Sequence, residues 1–303
     1  MPSLARSFRR NSDVALDVGT AVTRMSTSVR RARLETPSVF GERAALQSGA
    51  VLDREATIEL LRPLFWRTRT WGTSRPRALA CAPTDATDEE RETLKDCVTA
   101  AGASAVRLVP EPLAAAVGAG VDVGGDYAQC IVDFGEGITD CAIIRSGSVA
   151  ASHAVRVGCG DLRRAVCRHA STRGLALSET EAEELVRLTG ISMIDPSVAS
   201  NSAHLPDPRF TPAEVASAIE PHIVRIVDAV LALLGDIPAR MHLEVIESGV
   251  ILAGGGALLP GMRERIERAT SLTTFVACDP MRAVIIGAQA MLETAEQIGF
   301  WKD

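Results

Sequence analysis

Apolar residues along the chain fall into two kinds of run. Short, nearly continuous stretches read as strands: VALDVGT (14–20), ALACAP (78–83) as a buried one, VRLVP (106–110), QCIVDF (129–134), DCAIIR (140–145) and the start of GVILAGGG (249–256). RMSTSV and SVAASHAVRVG are further strand-like runs, less uniformly apolar. Stretches with apolar positions three and four residues apart predict helices from Asp53 to about Phe65, and over 161–173, 178–189, 212–235, 260–269 and 282–298. The best signposted helix is TDATDEERETLKDCVTAAG, with Thr and Asp at its start, acids in its first turn and Gly102 beyond its end. PLAAAVGAG reads as a helix whose small residues permit close approach. Residues 41–50 and the basic, aromatic stretch WRTRTWGTSRPR (66–77) read as loops, and the proline-rich 190–211 as an exposed connection. Strands alternating with helices predict an α/β architecture, and 303 residues suffice for two domains.

Composition narrows this picture. With 47% apolar and 23% charged residues the balance is that of a soluble globular protein. Aromatics are only 4%, so Val, Ile, Leu and Ala must fill the core, which favours parallel strands covered by helices. A net charge of −6 argues against general nucleic-acid affinity. Lys95 and Lys302 are the sole lysines among 32 basic residues, a skew that reads as codon bias rather than function. The seven cysteines are scattered, without a C-x-x-C pair, and suit a reducing cytosol better than a disulfide framework or zinc site. No run approaches a membrane span, and the N-terminus lacks the apolar core of a signal peptide.

The candidate chemistry lies in a repeated loop. ALDVGTAVT carries Asp17, Gly19, Thr20 and Thr23; IVDFGEGITD carries Asp133, Gly135, Glu136, Gly137 and Thr139. In each, an apolar strand ends in Asp, Gly follows two residues on, and a Thr comes later. Backbone N–H groups in such a turn converge on phosphate oxygens, and Gly permits close approach. The Asp can hold a hydrated Mg²⁺ through water. One such loop is a common turn; two at equivalent places in two halves point to a polyphosphate clamp. Downstream, Gly254-Gly255-Gly256 ends a strand, either as a plain strand-to-helix turn or as bare backbone for a flat ligand.

In order and wording these motifs resemble the MreB/Mbl-like bacterial actins, within the actin, heat-shock chaperone and sugar-kinase superfamily. The resemblance rests also on VPEPLAAAVGAG (109–120), on TPSV near residue 36 and on ESGVILAGGGALL (247–259), and runs from about Asp13 to Leu292. It implies an actin-like (ribonuclease H-like) α/β fold, two duplicated domains around an interdomain nucleotide cleft, with reduced outer subdomains. The expected division is a basic tail (1–12), a first domain (13–128 with 285–303) and a second (129–284). By the resemblance the ligands are ATP or ADP with Mg²⁺, met by Asp17 and Asp133 through water. Gly19, Thr20, Gly135, Glu136 and Gly137 would hold phosphates, Gly254, Gly255 and Gly256 the adenosine, and Asp161 the ribose. Asp161 also reads as a helix cap. Glu111 would orient the attacking water with help from Thr139, a role that suits in-line phosphoryl transfer.

The chain departs from the family pattern at several points. Glu136 and Ile138 replace Gly and Thr in the second loop, and a carboxylate there repels phosphates unless Mg²⁺ or a hydrogen bond compensates. Val22 replaces Asn, and Val186 and Leu188 stand where Lys and Glu would meet the adenosine. The resemblance implies a cytoplasmic cytoskeletal protein of cell shape or wall organisation, self-associating or co-assembling with a full-length MreB-type protein and meeting cell-shape or wall-synthesis proteins. A degenerate scaffold with weak or no ATPase activity is the alternative. Leu4 and Phe8 among arginines, and Trp66 and Trp71 in the basic stretch, are candidates for contact with the inner face of the cell membrane.

Overall fold

The run at residues 14–18, apolar but for Asp17, is a strand with every residue buried, and it starts a sheet that the second half of the chain repeats. The computed structural model describes residues 13–27, 33–68, 75–191 and 207–298. They divide into two compact units, one formed by the described residues up to Gly118 with those from Val284 on, the other by Ala119–Ala283.

In the first unit β1 (Val14–Val18), β2 (Val22–Thr27) and β3 (Arg33–Pro37) form an antiparallel meander. Two short hairpins follow, β4 (Val39–Phe40) with β5 (Arg43–Ala44) and β6 (Leu46–Gln47) with β7 (Ala50–Val51), where the sequence predicted a loop. Next come α1 (Arg54–Thr68), β8 (Arg77–Ala82), α2 (Asp88–Ala101), β9 (Ala105–Pro110) and α3 (Glu111–Gly118). The order is β3-β2-β1-β8-β9, with β1, β8 and β9 parallel. The helix starts are chemically fixed: Asp53 accepts from the Ala56 amide at 2.9 Å, and Thr87 and Glu90 form a capping box. Leu16, Ala78 and Ala80 of the sheet meet Leu61, Phe65 and Val98 of the helices in one core.

α1 reaches Thr68, so Trp66 lies on a helix rather than in the predicted loop. The closing helix, α9 by chain order (Ala283–Ile298), returns to the first unit, where Ser26 donates to the Gln289 side chain at 2.7 Å. Gly287 lies so near α3 that a Cβ would stand 1.8 Å from the Ala114 carbonyl, the close approach that the small-residue helix predicted.

The second unit repeats the plan with β10 (Gln129–Phe134), β11 (Thr139–Arg145) and β12 (Ser148–Val155) as its meander. Among the described residues four helices follow: α4 (Cys159–Thr172), α5 (Glu179–Thr189), α6 (Pro212–Asp236) and α7 (Ala239–Ser248). After β13 (Val250–Ala253) come α8 (Met262–Thr270) and β14 (Thr274–Val276). The order β12-β11-β10-β13-β14, with β10, β13 and β14 parallel, matches the first sheet strand for strand. Its core gathers Val132, Ile143, Leu162, Leu185, Ile219 and Leu252. α7 and β14 escape a reading by pattern because they bury little: only Glu244 and Val245 of α7, and one residue of β14. Most of the predicted 190–211 connection lies outside the described residues.

Candidate functional site

The first Asp-x-Gly loop is a tight hairpin whose closing pair is Val18 with Thr23, leaving Gly19–Val22 as the turn. A Cβ on Gly19 would stand 2.9 Å from the Val22 carbonyl, so the turn closes this tightly only with glycine. Hydroxyl groups brace it. Ser38 donates to the Gly19 carbonyl at 2.6 Å and lies 2.9 Å from the Thr23 hydroxyl. The Gly49 amide, in the β6–β7 turn, donates to Thr20 Oγ1 at 3.0 Å.

Asp17 is buried, and Arg24 donates to its Oδ2 at 3.2 Å across the hairpin. Burial raises the Asp17 pKa, while the guanidinium opposes that rise. Because β1, β8 and β9 are parallel, their carboxyl ends share one edge, the usual location for ligands in α/β sheets. Glu111 stands at that edge as the first residue of α3, buried, and lines a pocket with Val18, Gly49, Ala82, Pro83 and Arg91. The sequence-predicted residues Asp17, Gly19, Thr20 and Glu111 thus belong to one edge of one unit.

The second loop has the same frame. Phe134 pairs with Thr139, Gly135–Ile138 form the turn, and the Gly135 amide donates to the Ile138 carbonyl at 2.9 Å. The start of α4 straps this loop from outside: Cys159 and Gly160 donate their amides to the Gly135 and Glu136 carbonyls at 3.0 and 2.9 Å. Such contact requires Gly158, whose Cβ would lie 2.3 Å from the Glu136 carbonyl oxygen. Arg163 clasps the Glu136 carboxylate with both terminal nitrogens, one at 2.9 Å. The acidic substitution is therefore already compensated by a charge-assisted pair inside the unit. Asp161 accepts from the Gly158 amide at 3.0 Å and pairs with Arg164 at 2.8 Å, as a helix cap does. Thr139 is fully buried, and its hydroxyl donates to the Val157 carbonyl at 2.9 Å.

The glycine triplet adjoins this loop because β13 runs parallel to β10, with Ala253 opposite Asp133. Gly254 has φ +77°, and a Cβ there would stand 2.3 Å from the Phe134 carbonyl and 2.7 Å from Asp133 Oδ1. A Cβ on Gly256 would fall 2.1 Å from the Phe134 ring. Gly255 has nothing within 4 Å of such an atom. Two of the three glycines thus serve packing against Phe134, and one presents bare backbone. Val186 is a core residue, whereas Leu188 is exposed.

Sequence reasoning missed the two guanidinium partners, Arg24 and Arg163. The first was legible in principle, since a four-residue turn sets Arg24 opposite Asp17 in the hairpin register. No local signal linked Arg163 to Glu136, 27 residues away. Trp66 is 73% exposed on α1, while Leu4, Phe8 and Trp71 lie outside the described residues. Among the described residues no helix is long and apolar enough to cross a membrane, and no group of three or more His, Cys, Asp or Glu is arranged to hold a metal ion.

Comparison with known proteins agrees with this geometry. The cell shape-determining protein Mbl of Bacillus subtilis is 28% identical over 298 residues, which cover 95% of this chain and 90% of Mbl. The cell shape-determining protein MreB of Escherichia coli is 29% identical over 275 residues, 87% of this chain and 79% of MreB. The crystal structure of MreB 5 of Spiroplasma citri bound to AMPPNP superposes with a TM-score of 0.84 at 23% identity, over 96% of this chain and 99% of that one, and so shares the actin-like fold. A model of the MreB/Mbl protein family matches residues 35–299, and on that extent of agreement the chain belongs to the MreB/Mbl family.

Proposed function

We propose that this chain is an actin-like cytoskeletal protein that binds ATP and ADP and acts in cell shape or cell-wall organisation. The observation that carries the reading is the duplicated Asp-x-Gly turn, set at the carboxyl edge of two sheets with identical strand order. Gly19, Thr20 and Gly137 offer turn amides to phosphates, Gly135 gives the second turn its close approach while its own amide closes the turn onto Ile138, and Gly255 offers open backbone to the nucleoside. Its family relatives are named for cell-shape determination, and one structural neighbour was solved with AMPPNP.

Glu111 is the residue we assign to water orientation: a buried carboxylate at a helix start beside a pocket can hold a nucleophilic water for in-line attack. Thr139 spends its hydroxyl on Val157, so the catalytic burden rests on Glu111. Mg²⁺, when bound with the nucleotide, supplies charge neutralisation to the phosphates. Asp133, buried at the end of β10, fits a water-mediated contact to it. Self-association or co-assembly with a full-length MreB-type protein completes the proposal, together with contact of Leu4, Phe8, Trp66 and Trp71 with the inner face of the cell membrane.

The test is nucleotide binding and phosphate release by the purified full chain with Mg²⁺, beside Glu111→Ala. The expected result is binding by both and turnover only by the unaltered protein. Turnover unchanged in Glu111→Ala removes that assignment. Undetectable binding sinks the ATPase reading in favour of a scaffold that keeps the fold, a reading favoured by the apolar, core-packed Val186. Pelleting with and without liposomes separates assembly from membrane contact.

A further inference from the structure

The two halves differ in charge at one equivalent position. In the first sheet Asp17 of β1 faces Arg24 of β2, which faces Glu35 of β3. In the second, the corresponding row is Asp133 of β10, Asp140 of β11 and Ala154 of β12. Directly opposed side chains on one sheet face are neighbours. The first row is thus an acid–base–acid ladder and the second a pair of acids. Arg24 holds Asp17 Oδ2 at 3.2 Å, and its Nε stands 3.9 Å from Glu35. Only 12% of the Arg24 side chain and 9% of that of Asp17 are exposed. Water screens such a pair little, and the guanidinium cannot leave Asp17 without losing a partner in a buried place.

We infer that Arg24 is the built-in counter-charge of the first phosphate loop, so that nucleotide binding at this loop does not depend on a divalent cation acting through Asp17. The inference rests on the nucleotide reading above for its ligand. Its physical basis is that of any phosphate site: a bare carboxylate beside a triphosphate repels it, and something positive must answer that charge. A hydrated Mg²⁺ is one answer. Here a fixed arginine occupies the carboxylate oxygen before any cation arrives. It is always protonated, and unlike a cation it cannot be removed by a chelator. Arg24 is then a specificity-determining residue that sets how strongly binding couples to Mg²⁺.

Two readouts on the full chain test this. The first is titration with a fluorescent ATP analogue in millimolar Mg²⁺ and in excess EDTA. The unaltered protein is expected to bind with constants that agree within about threefold, whereas Arg24→Ala loses roughly tenfold or more in EDTA, because Asp17 is then unanswered. The double variant Asp17→Asn/Arg24→Ala removes both charges, folds without a lone buried carboxylate, and is expected to return to Mg²⁺-independence. The second readout needs no nucleotide: Mg²⁺ is expected to raise the melting temperature of Arg24→Ala, where Asp17 and Glu35 border the vacated space, and to leave the unaltered protein unmoved.

A tenfold loss in EDTA for the unaltered protein, or a double variant as Mg²⁺-dependent as the single one, overturns the inference. If the analogue binds under no condition the nucleotide reading fails, and melting alone decides. Equal Mg²⁺ stabilisation of the unaltered protein and Arg24→Ala rejects Arg24 as counter-charge, and stabilisation of the variant alone upholds it. Should Arg24→Ala fail to fold, the unaltered protein and the double variant carry the same comparison.

Discussion

The glycine triplet offers the sharpest separation of packing from ligand binding. Substituting each glycine by alanine adds the same methyl group, yet the three sites differ in what it meets. At Gly256 the new Cβ falls 2.1 Å from the Phe134 ring, which is 1% exposed. Carbon atoms rest at about 3.5–4.0 Å, so the ring must retreat by more than an ångström into a filled core. Overpacking of this kind costs about 3 kcal/mol, at the upper end of its usual range. In a body of this size that lowers the melting midpoint by roughly 6–12 °C. Gly254→Ala meets the Phe134 carbonyl at 2.3 Å with φ +77° and ψ 172°, a backbone region open essentially to glycine alone, adding about 1–3 kcal/mol to a clash that no rotamer relieves.

Gly255→Ala meets nothing within 4 Å and should change stability by less than about 0.5 kcal/mol, while weakening nucleotide binding by the close approach it blocks. The assay is thermal melting of the three variants, with hydrogen exchange on the β10 and β13 peptides to locate the loosening in the second unit. Adding Phe134→Leu to Gly256→Ala should recover part of the loss, a coupling of about 1–3 kcal/mol. Gly256→Ala melting with the unaltered protein, or a double variant no better than the sum of its parts, refutes the packing account.

Three further outcomes follow from local electrostatics and burial. Tyr127 is the chain's single tyrosine, and its hydroxyl donates to Glu247, a bond that pushes its pKa up to about 12. Ultraviolet titration should find it there, and Glu247→Gln should return it towards ~10; an unshifted tyrosine denies the bond. Glu244 is held below the usual carboxyl range by the Ala128 amide, and then by Arg145 and Arg240 against the cost of burial. Its anion therefore stabilises the fold above the unfolded value of ~4.3, and that contribution fades as pH falls through the lower folded value. Melting curves from neutral to acid pH should steepen less in Glu244→Gln; identical slopes reject the assignment. Of the seven cysteines, Cys278 is exposed while Cys81, Cys97, Cys130 and Cys141 are buried. A thiol reagent should modify Cys278 first and those four only on unfolding, and early labelling of any buried one contradicts the core described.

What the sequence determined by itself is whatever depends on neighbours a few positions away. The apolar runs placed β1, β8, β10 and β11, because a strand buried on two faces must be largely apolar, whereas the half-exposed β3 carried no such run. Capping residues placed α1 and α2, because a side chain three residues back satisfies the free amides. The repeated Asp-x-Gly turn was legible as a repeat, and its register made the Asp17–Arg24 pair readable too. The tertiary structure alone decided how those pieces meet. Glu136 looked like a repulsive substitution until the fold brought Arg163 to it. The triplet looked like three equivalent glycines until Phe134, some 120 residues earlier, proved to fill the space over two of them. Ser26 and Gln289 meet across 263 residues of chain. α7 and β14 show too little apolar surface to announce themselves, and take their form from the sheet they lie against. A residue's backbone preference is set by bonds to its near neighbours, whereas the charge, packing and hydrogen bonds of a site are sums over groups that only the folded chain brings within a few ångströms.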